Sequence, residues 1–172
     1  MNQKYLNFYF STVWKSGYNT KGKTGDQLLA KIKPDEWVLD VGCGNNPFAG
    51  KIKQLVGIDP ANDNAHVKST IENFDSDIKF DVALCLGSIN FGDNATIERQ
   101  IAKVVSLLKP NARIYWRCNP GQQDHGNIEC EQIEFYPWSF NRLISFADQF
   151  GFKILELSWD DNRIYSEWIK SR

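Results

Sequence analysis

The sequence has little of the cysteine and histidine patterning that metal sites need. Its four cysteines include no Cys-x-x-Cys pair, and only two histidines accompany them. Zinc and iron–sulfur ligand spacings are therefore absent, and we expect no metal site. Three of the four cysteines fall in or beside predicted strands, where a free thiol acts as a small core side chain and suits a reducing compartment.

Charge of one sign and long apolar runs are also missing. The formal net charge is -1, so no overall field attracts nucleic acid or an anionic membrane. No apolar stretch reaches membrane-spanning length, and the N-terminus lacks the apolar centre of a signal peptide. We therefore expect a cytoplasmic protein with no membrane partner. Residues 1–36 nevertheless hold six lysines against three acids, which leaves the N-terminus as the one place suited to nucleic acid.

What the sequence does contain is a strand, a glycine turn and an acid, in that order. Residues 37–41 have the apolar composition of a buried parallel strand, and Gly42 and Gly44 then allow a sharp turn close to a ligand. Residues 55–58 form a second such strand that ends at Asp59, 17 residues after Gly42. A nucleotide-binding fold places an acid at a similar separation on the ribose hydroxyls.

Two other interpretations of this stretch compete. A dinucleotide-binding domain has Gly-x-Gly-x-x-Gly or Ala opening a long helix, but Pro47 stands at the last position here. The two strands are also so close in sequence that a full crossover helix barely fits between them. The second alternative is a tight turn between core strands that binds nothing. A third apolar strand follows at 80–86, and the agreement of the three features favours a ligand site of another kind over both alternatives.

The rest of the chain alternates strands and helices, and its 172 residues are enough for one domain. The patterns predict strands at 80–87 and 112–118, helices that begin after Asp93 or Asn94 and after Ser139, and a terminal hairpin over 152–169. The connection between Asp59 and Phe80 is short and polar, with one brief strand candidate at 66–68. We expect its helix to be reduced to a turn.

The motifs Val38-Leu-Asp-Val-Gly-Cys-Gly44 and Val56-Gly-Ile-Asp59, with the strand at 80–86, resemble the cofactor-binding core of the class I S-adenosylmethionine-dependent methyltransferases. This resemblance implies an α/β, Rossmann-like fold with a seven-stranded, mostly parallel sheet, a C-terminal antiparallel hairpin and helices on both faces. Residues 24–172 would form the methyltransferase domain. Residues 1–23, an aromatic and lysine-rich segment, would form either a lid over the cofactor or an N-terminal helix with a solvated loop.

The resemblance also implies which residues hold S-adenosylmethionine. Asp59 would accept hydrogen bonds from the ribose diol, and Pro60 would lie against adenine. Asp40 would complement the ammonium group, tie down the glycine turn, or both. The other implied cofactor residues are Gly42, Gly44 and Asn45 at the amino acid end, Thr70 and Ile71 at adenine, and Leu86 and Gly87 at the methionine moiety. The family often has an aspartate where Thr70 stands, and none stands here.

Methyl transfer asks the protein mainly to align the acceptor and to exclude water. The catalytic candidates are Asn90, which follows the strand at 80–87, and His125 and Tyr136 in the long loop 119–137. Tyr18 is a candidate substrate contact. His125 has a structural alternative, since a lone histidine in a loop is more often plain surface.

The function that the resemblance implies is transfer of a methyl group to an oxygen or nitrogen acceptor on a small molecule. A nucleic-acid methyltransferase and a non-catalytic S-adenosylmethionine-binding protein are the alternatives. Methyltransferases that act on DNA amino groups tend to carry Asn or Asp-Pro-Pro-Tyr or Phe where this chain has Leu86-Gly-Ser-Ile-Asn90. An open pocket beside the methyl group, lined by Asn90 and the loop 119–137, would separate an enzyme from a binder. The sequence does not predict the oligomeric state.

Overall fold

The computed structural model of the protein describes residues 2–14, 22–121 and 128–171. Six strands form one sheet in the order β2-β1-β3-β4-β6-β5. The strands are β1 Val38–Val41, β2 Leu55–Ile58, β3 Phe80–Leu86, β4 Leu108–Cys118, β5 Phe152–Asp160 and β6 Arg163–Lys170. Neighbours among the first four strands run parallel, and β6 runs antiparallel to both β4 and β5. The predicted parallel sheet with a C-terminal antiparallel hairpin is therefore confirmed.

The prediction of seven strands is wrong for the described residues, which contain six. In place of a strand at 66–68, Val67 makes a single parallel bridge to Ile58. The His66 ring supplements this bridge, because its Nδ1 accepts a hydrogen bond from the Gly57 N–H at 2.9 Å. The polar connection after β2 has no apolar run that would extend the bridge into a ladder. One bridge and one side chain thus occupy this edge of β2.

The described ranges contain four α-helices beside the sheet: α1 Gln3–Phe8, α2 Asp26–Leu29, α3 Asn94–Ser106 and α4 Phe140–Gln149. Helix α1 runs on into a π-helical turn, Tyr9–Val13. Asp93 caps α3 and Ser139 caps α4, each by accepting a hydrogen bond from a backbone N–H of the first turn. The connection after β2 holds only a 3-10 turn, Ile71–Asn73, as its short polar sequence predicts.

The two faces of the sheet are covered unequally. Helices α3 and α4 cover one face, where Ile101 and Phe146 pack with strand residues such as Ala83 and Trp116. The short helix α2 and the turns at 46–54 cover the other face. Leu28, Phe48 and Ile52 pack there against Val38 and Leu84. Helices thus lie on both faces, as predicted.

The strand order places a crevice at one edge of the sheet. The chain leaves β1 for β2 on one side and returns to β3 on the other, so the order reverses between β1 and β3. In open α/β sheets, ligands bind outside the carboxyl ends of the strands at such a reversal. The residues that follow β1, β2, β3 and β4 all lie at this edge, because the four strands are parallel.

Candidate functional site

A cavity of about 570 Å³ opens at the carboxyl edge of the sheet. Its volume lies within the range of small-molecule sites. Its lining comes from the turns after β1, β2 and β3 and from the end of β4. Residues of α1, of the following π-helical turn and just after that turn also line it. Those N-terminal residues include Leu6, Asn7, Phe10 and Trp14.

The turn after β1 needs glycine for two separate reasons. Gly42 and Gly44 have φ angles of +65° and +54°, a region that side chains disfavour. A Cβ at Gly42 would also lie 2.4 Å from the Ser88 Cβ, in the turn after β3. The two turns are therefore in contact, and a side chain at Gly42 would push them apart.

Asp59 points toward this glycine turn, as the cofactor interpretation requires. Its Oδ2 accepts a hydrogen bond from the Gly44 N–H at 2.9 Å. Its Oδ1 accepts from the N–H groups of Ala61 and Asn62 at 2.7 and 2.9 Å, and from the Asn62 amide at 3.2 Å. A carboxylate has roughly four acceptor positions. Oδ1 is thus fully occupied, and Oδ2 keeps one position for a ligand.

Asp40 is a buried carboxylate without a hydrogen-bonding partner in the described structure. Only 3% of the residue is exposed, and among the described residues no group donates to its side chain. Burial, and then the nearby charge of Asp59, raise its pKa to about 7. Since Asp40 lines the cavity, a cation bound there would supply the missing partner.

The other expected cofactor residues lie along the same cavity. Beside Asp40, Gly42, Gly44 and Asp59, the lining includes Asn45, Pro60, Thr70, Ile71, Leu86 and Gly87. The Thr70 hydroxyl is buried without a partner in the described structure. Cys43 also lines the cavity, but burial raises the pKa of its thiol to about 12. This thiol is therefore neutral near pH 7 and is not a nucleophile.

The catalytic candidates do not all lie together. Asn90 lines the cavity, and its Oδ1 accepts a hydrogen bond from the Asn119 N–H at 3.0 Å. Tyr136 is 3% exposed and does not line the cavity, because it packs in the core and its hydroxyl donates to Asn94 Oδ1 at 2.7 Å. We therefore do not retain a catalytic role for Tyr136. Tyr18 and His125 lie outside the described residues.

Sequence reasoning missed several cavity residues. Arg117 lies at the end of β4. Ligands bind at the carboxyl ends of parallel strands, so the reasoning that located the other site residues would also have found Arg117. Arg163 opens β6, and only the antiparallel pairing of β6 with β4 brings it to the same edge. Phe91 and Phe135 line the cavity as well, and an isolated bridge joins their backbones. No local pattern reports such a bridge between distant residues.

Comparison with solved structures identifies the fold. No protein-family model matches the sequence, and no curated protein matches it either. Magnesium protoporphyrin IX methyltransferase from Synechocystis PCC 6803, solved with S-adenosylhomocysteine, superimposes with a TM-score of 0.72 at 14% identity, over 98% of this chain and 99% of that one. The 1,6-didemethyltoxoflavin-N1-methyltransferase of Burkholderia thailandensis gives a TM-score of 0.69 at 15% identity, over 86% and 76% of the two chains.

A third similar structure is the N-methyltransferase NodS from Bradyrhizobium japonicum WM9, with a TM-score of 0.63 at 13% identity over 85% of each chain. At these identities the likeness shows the fold alone. The chain has the fold of the class I S-adenosylmethionine-dependent methyltransferases, as the sequence motifs predicted. Within the described residues, every helix is too short or too polar to span a bilayer.

Proposed function

We propose that the protein is an S-adenosylmethionine-dependent methyltransferase whose acceptor is a small molecule with a nucleophilic oxygen or nitrogen. The observation that carries this proposal is the pair of carboxylates at the glycine turn. Asp40 is buried, with no hydrogen-bond donor to its side chain among the described residues, and Asp59 accepts from the Gly44 N–H with one acceptor position left. This pair suits a ligand that presents both a cation and hydroxyl groups.

The residues at the cavity fit S-adenosylmethionine at each end. Asp40 would face the ammonium group, and the remaining position on Asp59 Oδ2 would accept from one ribose hydroxyl. Asp59 Oδ1 already accepts hydrogen bonds from Ala61 and Asn62 of its own loop. A second hydrogen bond from the diol would therefore require one of these donors to move away. Thr70 and Ile71 would meet adenine, with the Thr70 hydroxyl gaining the partner that it lacks within the described part of the chain.

When bound, S-adenosylmethionine supplies a methyl group on a positive sulfur, already activated for in-line displacement. The protein's own task is then to orient the acceptor and to exclude water. Asn90 suits orientation, because its Oδ1 is held by the Asn119 N–H and its amide nitrogen lies 3.9 Å from the position that a Cβ at Gly87 would take. An amide does not accept a proton at neutral pH, so Asn90 is a positioning group and not a general base.

The shape of the cavity favours an enzyme over a protein that only binds the cofactor. Beyond the glycine turn, the cavity continues past Asn90 to Phe91, Asn119 and Phe135. A protein that merely held S-adenosylmethionine would have no use for this additional space. The partial cover by α1 and the net charge of -1 favour a small molecule over nucleic acid.

Calorimetric titration with S-adenosylmethionine tests the cofactor assignment. We expect Asp59→Ala to weaken binding by at least about tenfold, since a charge-assisted hydrogen bond and the Gly44 contact are both lost. Asp63→Ala is the matched control, because Asp63 lies in the same loop with its side chain 89% exposed. Equal affinity in the Asp59 and Asp63 variants would refute the assignment.

A screen of acceptors, read out by the formation of S-adenosylhomocysteine, tests the activity. We expect turnover with at least one small molecule and none with RNA or DNA. Binding of RNA that weakens steeply with salt, together with methylation of it, would instead favour the nucleic-acid alternative.

A further inference from the structure

The charged residues of the cavity are divided by sign between its two ends. Among the described residues that line it, only four carry a charge: Asp40, Asp59, Arg117 and Arg163. The two acids belong to the ends of β1 and β2, where we place the cofactor. The two arginines belong to β4 and β6, on the far side of β3. One end of the cavity thus suits a cation, and the other suits an anion.

The sheet brings the two arginines to one corner. Strand β6 runs antiparallel to β4, so the start of β6 lies beside the end of β4, where Cys118 pairs with Ile164 and Arg117 with Tyr165. Arg163 opens β6 one residue before this pairing. Adjacent strands are about 4.8 Å apart, and two such steps separate β4 from β1 and its glycine turn.

Arg117 is held in place but keeps its binding edge. Its Nε donates to Asp160 Oδ2 at 3.2 Å, and Asp160 is itself 8% exposed. Asp160 also accepts from the Lys23 N–H at 3.4 Å, which fixes the carboxylate. The two terminal nitrogens of Arg117 have no acceptor among the described residues. These nitrogens form the edge that binds carboxylate or phosphate in a bidentate manner.

Two guanidinium groups line this corner of the cavity, those of Arg117 and Arg163. Asp160 pairs with the Nε of Arg117, and no acceptor among the described residues pairs with the terminal nitrogens of Arg117. The Arg117 side chain is only 25% exposed, so an additional anion would be less screened there than on the open surface. The corner therefore attracts an anionic group of a ligand within the cavity.

The corner that holds Arg117 is joined by a hydrogen bond to Asn90, beside which we expect the methyl acceptor. Asn119 follows Arg117 by two residues, and its N–H donates to Asn90 Oδ1. Phe91 and Phe135, whose ring centroids are 5.4 Å apart, supply an apolar wall to the same cavity. A molecule with an apolar or aromatic body and one anionic group would find complementary surfaces for both parts.

We propose that the methyl acceptor carries a carboxylate or phosphate group, and that Arg117, positioned by Asp160 and assisted by Arg163, binds it. This inference rests on the proposed function, since it assigns the acceptor end of the same cavity. Arg117 is then a specificity-determining residue for the acceptor and takes no part in holding the cofactor.

Three simple probes test the inference before the natural acceptor is identified. Benzoate, phenyl phosphate and the uncharged benzamide are titrated into the protein, both free and saturated with S-adenosylhomocysteine, with ligand-observed NMR as the readout. We expect at least one of the two anions to bind about tenfold or more tightly than benzamide. The stronger of the two anions identifies whether the corner suits carboxylate or phosphate.

Variants then assign the effect to Arg117. We expect Arg117→Gln to weaken anion binding by about tenfold and Arg117→Lys to restore part of it, because lysine keeps the charge but loses the fork. Arg113→Gln is the matched control, since Arg113 lies on the same strand and pairs with Glu36 at 2.7 Å but does not line the cavity. Affinity for S-adenosylhomocysteine should stay within about twofold in the Arg117 variants, because no cofactor contact is removed.

Each contrary result has a distinct meaning. Benzamide binding as tightly as the anions, or anion binding that survives Arg117→Gln, would overturn the inference and leave the proposed function standing. Loss of S-adenosylhomocysteine affinity in Arg117→Gln would also overturn it, by assigning the arginine to the cofactor carboxylate. Failure of S-adenosylhomocysteine to bind the wild-type protein would count against the proposed function, and the titrations of the free protein would still decide the anion site.

Discussion

The Gly44 N–H donates a hydrogen bond to Asp59 Oδ2 over 2.9 Å, and this bond joins the turn after β1 to the acid after β2. Parallel pairing of Val41 with Ile58 brings the two strand ends side by side, so the bond spans adjacent turns. The carboxylate is therefore oriented before any ligand arrives. Such preorganisation lowers the entropic cost of binding.

Replacing Gly42 with alanine should destabilise the protein strongly. The residue has φ +65°, and its new Cβ would lie 2.4 Å from the Ser88 Cβ. We expect a loss of about 3 kcal/mol or more in the free energy of unfolding, since backbone strain and overpacking add. Denaturant titration measures this loss, and cofactor affinity should fall with it.

Gly50→Ala is the matched control for that substitution. Gly50 has a similar φ of +76°, but a Cβ there would meet nothing within 4 Å. Only the backbone strain remains, so we expect Gly50→Ala to lower the free energy of unfolding by about 1 to 2 kcal/mol. If the two variants lost the same stability, the contact between the turns after β1 and β3 would be irrelevant.

Asp40 should make the stability of the protein fall as the pH rises. Its pKa is about 7 in the folded protein against 3.8 in the reference state, so the folded state holds the proton more tightly between these values. The unfolded state then binds fewer protons, and the free energy of unfolding decreases with pH. The contribution is fully present below about pH 4 and is lost as the pH rises through 7, by at most roughly 4 kcal/mol.

Comparison with Asp40→Asn isolates this contribution, because an amide does not titrate. The difference in unfolding free energy between variant and wild type should change across pH 4 to 7 and level off above about pH 8. A difference that stays constant over this range would show that Asp40 keeps an ordinary pKa.

Cofactor affinity should respond to pH in the opposite direction. A cationic ammonium binds the ionised form of Asp40, which becomes the major form above about pH 7. We expect the affinity for S-adenosylmethionine to rise between pH 6 and 8 in the wild-type protein and to stay nearly flat in Asp40→Asn. A parallel rise in both proteins would assign the effect to another group.

Asn90 should contribute in two separable ways. Asn90→Ala removes the acceptor for the buried Asn119 N–H and should cost about 1 to 3 kcal/mol of stability. Asn90→Asp keeps that acceptor but removes the amide donor; because residue 90 is 4% exposed, burial should raise the pKa of the new carboxyl group, so stability should persist at acidic pH and fall toward neutral pH. Formation of S-adenosylhomocysteine with a competent acceptor should fall in both variants. Full activity in Asn90→Asp would exclude a positioning role for the amide.

Helix α1 should become more protected when the cofactor binds. Its Leu6 packs with Tyr9, Phe91 and Phe135 in a cluster separate from the main core, so we expect low local stability. Because Asn7 and Ser11 line the cavity, S-adenosylhomocysteine should slow amide exchange in α1 and the following turn. Helix α4 packs into the main core, on the same face of the sheet as α3, and serves as the internal control. Unchanged exchange in α1 would argue against a lid.

The sequence by itself determined the central part of the site. Residues 37–42 combine an apolar strand with a glycine that only a turn explains, and Asp59 ends the next such strand. Because parallel strands end at one edge, this local information was enough to place the acid at the glycine turn. Other local patterns, namely the alternation of apolar residues and the capping side chains, predicted the terminal hairpin and the helices that Asp93 and Ser139 cap.

The tertiary structure decided the rest. The seventh strand was reduced to the bridge of Val67, because edge pairing depends on the available backbone and not on a motif. Tyr136 was drawn into the core, where Asn94 accepts from its hydroxyl. Arg163 lies near Arg117 only because β6 pairs antiparallel with β4, although 46 residues separate the two arginines in the sequence. Sequence patterns report strands, turns and caps, since these are local, whereas contacts between distant residues depend on how the whole chain packs.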